Sequence, residues 1–227
     1  MTHEQSVPNE PKTANATNEK SHLIYVFDAY CGWCYGFGPH LAAFVARHRD
    51  EIDLTVISGG LFLGERVVPA PQLTFIHDAN LRITELTGAQ FGSAFAARMA
   101  DPTFAMDSFD AARGFAALRA EAPTRALEAA EAQQAAFYQR GLSLSDPETY
   151  RAVAADLGLD PAKVVANFLA PRSESVATDD FRTSRTLGVT SFPTLMIRAE
   201  DGQLHRLGGP SSTPAQLDAA LAAFRAH

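Results

Sequence analysis

The sequence predicts an α/β fold in which one sheet, built from an N-terminal βαβ unit and a C-terminal ββα unit, is interrupted by an all-helical insertion. Three observations carry this reading. A β-branched and aromatic run at residues 23–28 leads into a helical stretch and then an alternating run at 52–58. Between residues 64 and 187 alanine becomes frequent and helical segments follow one another with clear stops. Strand-like runs then return at 194–197 and 203–207, divided by Glu200-Asp201-Gly202, and Asp-Gly between two such runs is a strong hairpin signal.

Taken in order, residues 1–22 are polar and lack the apolar segment of about 7–15 residues that a secretory signal needs. They read as a disordered tail that cannot bury enough surface to offset its ordering entropy, and the expected location is the cytoplasm. Residues 23–28 (LIYVFD) read as a buried strand. The helix that follows places Leu41, Phe44 and Val45 on one face, and strand, helix, strand in that order implies a parallel pair. Gly36, Gly38 and Pro39 make its opening turns locally poor, so it either bends there or starts near His40. Within the insertion, helices are expected at 72–87, 91–100, 109–121, 124–140, 147–157, 161–169 and 175–187. Asp146-Pro147 and Asp160-Pro161 each set a capping carboxylate before a proline at the first helical position. Arg125, Glu128, Glu131 and Arg140 read as a solvated helix face. A terminal helix over 213–226 is capped by Thr213 with Pro214 behind it. The organisation expected is a tail at 1–22, a first half-domain at 23–63, the insertion at 64–187 and a second half-domain at 188–227.

Bulk properties exclude several functions. A formal net charge of −7 argues against a nucleic-acid partner, and no run of about 18 apolar residues exists to span a membrane. The only two cysteines, Cys31 and Cys34, stand three residues apart. A bridge between them closes almost no loop and so adds little stability. Three readings remain: inert small hydrophobes, half of a metal site, or a redox dithiol. A metal site would need further ligands, and the seven histidines show no partner motif. The strand-to-helix junction favours the dithiol, because a helix N-terminus stabilises a thiolate. Cys31 is then the nucleophile, and Cys34, one turn inside the helix, resolves the mixed disulfide. Tyr30, Trp33, Tyr35 and Phe37 cluster around the pair, and Trp33 is expected to be partly exposed as an apolar platform for substrate. Asp28, near the motif, either assists proton transfer from Cys34 or serves the loop. A second signal is Val189-Thr190-Ser191-Phe192-Pro193-Thr194, a proline directly before a strand; on general frequencies, about 5–6% cis for X–Pro bonds, it would be trans.

With these motifs in place the chain resembles the DsbA-like branch of the thioredoxin superfamily, and Asp28-Ala29-Tyr30-Cys31-Gly32-Trp33-Cys34-Tyr35-Gly36-Phe37 is most similar to its cytoplasmic FrnE-like subgroup. The resemblance covers about residues 22–227, and Pro39, eight residues after Cys31, belongs to it. It implies a protein-disulfide oxidoreductase or isomerase with no cofactor, Cys31 and Cys34 as catalytic residues, and Gly32, Trp33, Phe192 and Pro193 at the substrate. It also implies that Pro193 is cis against the dithiol and that the Phe192 backbone pairs with a bound peptide. Two departures stand out. The Gly-Trp spacer lacks histidine, which implies a poise less oxidising than the roughly −120 mV of the extreme relative. Position 25 is tyrosine where plain thioredoxins carry a buried acid. Expected partners are protein or small-molecule disulfides and dithiols, with glutathione or a thioredoxin-type protein as redox partner. The other function classes are a glutathione-dependent isomerase or transferase on a kappa-type scaffold, and a non-catalytic peptide-binding module.

Overall fold

Strand β1 (Ser21–Phe27) lies inside a four-stranded sheet because both of its faces are apolar, and the sheet order is β2-β1-β3-β4. The structure, a computed structural model, describes residues 20–226. The tail expected over 1–22 lies outside the described residues up to residue 19, and its last two positions, Ser21 and His22, belong to β1 instead. They pair there with Ile52 and Asp53. β2 (Ile52–Ser58) runs parallel to β1, β3 (Thr194–Arg198) antiparallel to β1, and β4 (Leu204–Gly208) antiparallel to β3. Leu23, Tyr25 and Phe27 point to one face and pack with Leu41, Phe44 and Leu217. Ile24 and Val26 point to the other, with Ile57 and Met196. This is the two-residue alternation of a strand buried on both sides.

Helix α1 (Gly32–Arg47) begins directly at the cysteine motif and continues through Pro39, so it does not wait for His40. Pro39 is tolerated on an exposed position of the helix. All seven expected helices of the insertion are present: α2 (Phe75–Thr87), α3 (Ser93–Met99), α4 (Ser108–Glu121), α5 (Ala126–Tyr138), α6 (Pro147–Asp156), α7 (Pro161–Leu169) and α8 (Pro171–Thr186). The Asp146 and Asp160 side chains accept from first-turn amides as their Asp-Pro signals foretold. α8 starts four residues earlier than expected, at Pro171, another proline in the first helical position. The terminal helix α9 (Pro214–Arg225) opens with a full capping box between Thr213 and Gln216.

The insertion is fastened to the open edge of the sheet by side chains. Arg119 of α4 donates to the Val56 carbonyl at 2.6 Å and to Asp180 of α8 at 3.0 Å, and the second Asp180 oxygen accepts from the Ser58 amide at 2.9 Å. Main-chain groups of the edge strand that would otherwise be bare are thereby satisfied. Burial pushes the Asp180 carboxyl up, and Arg119 offsets that. Arg119→Ala, by leaving Asp180 alone in that site, is expected to lower the free energy of urea unfolding by about 2 kcal/mol, somewhat below the usual cost of breaking a buried pair. At the opposite end of the sheet Arg225 of α9 donates to the Ser21 hydroxyl at 3.2 Å and to the Glu51 carbonyl at 3.2 Å, and pairs with the Glu51 carboxylate.

Candidate active site

The loop between β1 and α1 is held from several sides before any thiol is considered. Asp28 is 2% exposed, and its carboxylate accepts from the Tyr30 amide at 2.9 Å and from the Leu61 amide at 2.8 Å. Its carbonyl accepts from the Cys31 amide and from the Gln134 side chain. The Tyr30 hydroxyl accepts from the Leu144 amide at 3.1 Å. Burial raises the Asp28 carboxyl to about 6, against the pull of those two amides. Of its two expected roles, the loop role is built into these contacts.

Cys31 occupies the N-cap position of α1, and the first turn of that helix carries no acid. Unsatisfied amides and the positive end of the helix are thus turned to its sulfur with no opposing carboxylate in the turn. Instead of capping the helix, the thiol donates to the Phe192 carbonyl at 3.5 Å. The Phe192-Pro193 peptide is cis, as the resemblance implied against the general frequency. Phe192 needs space there: a Cβ on Gly59 would meet its ring at 2.1 Å. Cys34 is fully buried, and burial, with Cys31 next to it, pushes its thiol well above the ordinary cysteine range. The two sulfurs are therefore unequal. Cys31, although only 6% exposed, meets the loop before β3 and lines the cavity, whereas Cys34 is sealed and holds its proton.

Gly32 and Gly36 have a packing reason. They stand four apart on the α1 face that meets α2, and an added Cβ would come within 2.9 Å of Ile83 at position 32 and 2.7 Å of Thr87 at position 36. Trp33 is half-buried, as expected of a platform, and it borders a cavity of about 160 Å³ with Cys31 and Gly32. The far wall comes from the insertion, chiefly Phe75, Ile76 and Asn80 of α2, and the lining is overwhelmingly apolar. Phe75 is 61% exposed at its rim. Cys31, Gly32 and Trp33 thus share the cavity, while the Cys31 thiol also meets the Phe192 carbonyl that precedes Pro193. The α2 wall was not among the expected site residues, although the paired glycines signalled a close-packed neighbour. Among the described residues no group of three His, Cys, Asp or Glu side chains converges as a metal cluster would, and no helix is long and apolar enough to cross a membrane.

The face of α5 holds a correction. Arg125, Glu128 and Arg140 are surface groups, as expected of a solvated face, but Glu131 is half-buried against α1 beside Gly38. It is pushed from the ordinary 4.5 to about 7, by burial first and by Glu128 second.

A family profile described as "DSBA-like thioredoxin domain" matches residues 22–222. A search of curated proteins finds no match. Among solved structures, the chain is similar to a candidate protein disulfide isomerase from Nitrosomonas europaea at 20% identity and a TM-score of 0.78, covering 92% of this chain and 98% of that one. It is also similar to the cytosolic disulfide reductase DsbM from Pseudomonas aeruginosa at 24% identity and a TM-score of 0.76, covering 91% and 100%. The structure of DsbM with glutathione aligns at 26% identity and a TM-score of 0.73, covering 90% and 99%.

Proposed function

The chain belongs to the DSBA-like thioredoxin domain family, and on that footing we propose that it is a thiol–disulfide oxidoreductase acting as a reductase or isomerase through Cys31 and Cys34. The observation that carries this reading is the inequality of the two thiols. Cys31 at the helix N-cap faces the cavity and the Phe192 carbonyl, whereas Cys34 is sealed and protonated. Cys31, as thiolate, attacks one sulfur of a substrate disulfide, the S–S bond breaks, and the other substrate sulfur leaves as a thiolate. Cys34 then attacks Cys31, loses its proton, and releases the substrate as a dithiol while the internal disulfide forms. In isomerase work a second substrate cysteine displaces Cys31 before Cys34 acts.

The apolar cavity beside Cys31 and the half-buried Trp33 favour a polypeptide substrate whose cystine is flanked by an apolar side chain. The Phe192 backbone beside Cys31 would pair with that chain. Glutathione is the proposed reductant of the internal disulfide, with a thioredoxin-type protein as the other donor class. That choice is supported by the glutathione held in the DsbM structure, and the cytosolic setting of that protein supports a cytoplasmic one here.

The test is equilibration in glutathione buffers followed by acid trapping of free thiols. At the cytosolic poise of about −220 to −260 mV the pair is expected to be mainly dithiol. A pair that stays disulfide-bonded throughout that range could not be recharged by glutathione, and the reductase or isomerase reading would fall.

A further inference from the structure

Resting on that reading, we propose that Glu131 accepts the proton of the Cys34 thiol during resolution of the mixed disulfide, with the Tyr25 hydroxyl as the relay between them. Cys34 has no exposed surface, so water cannot take its proton directly. Tyr25 is buried in the same core cluster as Cys34, and among the described residues its hydroxyl makes no well-formed hydrogen bond, an arrangement rare in native interiors, while burial first and the Cys34 thiol second raise its pKa. The same hydroxyl feels both the Cys34 sulfur and the Glu131 carboxylate electrostatically.

Glu131 lies beside a glycine on the same helix as Cys34. Cys34 and Gly38 are four residues apart on α1 and share a face. A Cβ on Gly38 would come within 3.4 Å of the Glu131 carboxylate oxygen. A carboxylate from α5 thus lies against α1 one helical turn from the resolving thiol. Among the described residues nothing hydrogen-bonds or pairs with Glu131, so its lone pairs are open to a proton. Asp28 is the other acid near Cys34, but both of its oxygens already accept backbone amides. The remaining titratable neighbours are Cys31 and Tyr138 beside Cys34, and Glu128 beside Glu131.

The step balances. The Cys34 sulfur bonds to the Cys31 sulfur, the bond from Cys31 to the substrate sulfur breaks, and the substrate leaves as a thiolate that takes a proton from solvent. The Cys34 proton passes to the Tyr25 oxygen as the tyrosyl proton moves to the Glu131 carboxylate. The dithiol is oxidised by two electrons and the substrate disulfide is reduced by two.

Rapid mixing of the reduced full chain with one equivalent of a nitrobenzoate disulfide separates the two events. The first release of coloured thiolate reports attack by Cys31, and the second reports resolution by Cys34. In the wild type the second phase is expected to accelerate as pH rises through about 7, where Glu131 becomes a carboxylate. In Glu131→Gln that inflection disappears, and resolution at about pH 8 slows about 100-fold, the low end of general-base effects. Glu131→Asp keeps the inflection, and Tyr25→Phe slows the second phase as Glu131→Gln does. An unchanged second-phase profile in Glu131→Gln overturns the proposal, and a full-speed Tyr25→Phe removes the relay. Absence of even the first phase in the wild type would instead count against the oxidoreductase reading. A folding readout accompanies these rates. Because the folded carboxyl binds its proton more tightly than the unfolded one, the wild type should lose stability relative to Glu131→Gln as pH rises from about 4.5 to about 7. Coincident urea midpoints across that range overturn the proposal too.

Discussion

Cys31→Ser is expected to lower disulfide turnover at least ~1000-fold, whereas Cys34→Ser should accumulate as a stoichiometric mixed disulfide with its substrate. The sizes follow from the different places of the two sulfurs. Serine at position 31 is a far weaker nucleophile and leaves no other thiol that a substrate can reach, since Cys34 is sealed beneath it. Removal of an attacking group from an otherwise intact site costs several orders of magnitude. Serine at position 34 leaves the attack untouched but cannot displace the bound substrate, so the reaction stops after one bond exchange. Turnover of a cystine-containing peptide, with mass spectrometry of the acid-trapped protein, reads both outcomes. Equal residual turnover in the two variants would mean that the pair does not act in sequence.

Gly114→Ala is expected to cost about 3 kcal/mol or more, at the upper end of overpacking. Gly114 lies buried on α4, and a Cβ there would sit 1.7–2.0 Å from atoms of the Tyr150 ring and 2.1 Å from its hydroxyl. Tyr150 cannot retreat. Its ring stacks on Phe168 at 4.8 Å, and its hydroxyl donates to the Leu144 carbonyl at 2.8 Å and accepts from the Gln133 side chain at 3.1 Å. Relief would require α4 and α6 to separate or that buried polar group to break, and overpacking of this kind sits at or beyond the usual 1–3 kcal/mol. Urea unfolding with an unchanged slope measures it. A loss below about 1 kcal/mol would show that the helices yield easily.

What the sequence made legible was mostly local. Asp146-Pro147, Asp160-Pro161 and Thr213-Pro214 each announce a helix start through chemistry confined to a few residues, and all three hold. The Asp201-Gly202 hairpin is local in the same sense. The dithiol and Pro193 were readable because each is tied to a strand boundary, although only the resemblance indicated that Pro193 is cis. The features that escaped depend on which helix lies against which. Nothing near Glu131 in sequence distinguishes it from Glu128, yet one faces water and the other faces α1. The α2 wall of the cavity and the Arg119–Asp180 tie to β2 likewise join segments dozens of residues apart. A helical period shows that a helix has two sides without naming the neighbour of either.

The clasp of Arg225 on Ser21 and Glu51 brings the first strand and the last helix side by side. In topological terms the described chain is nearly a closed ring with a nick. A short linker across that nick, with new termini cut at the Asp201-Gly202 turn, would give a circular permutant that keeps every strand pairing. The ribbon's direction of travel, unlike its neighbour relations, is therefore free to be rewritten.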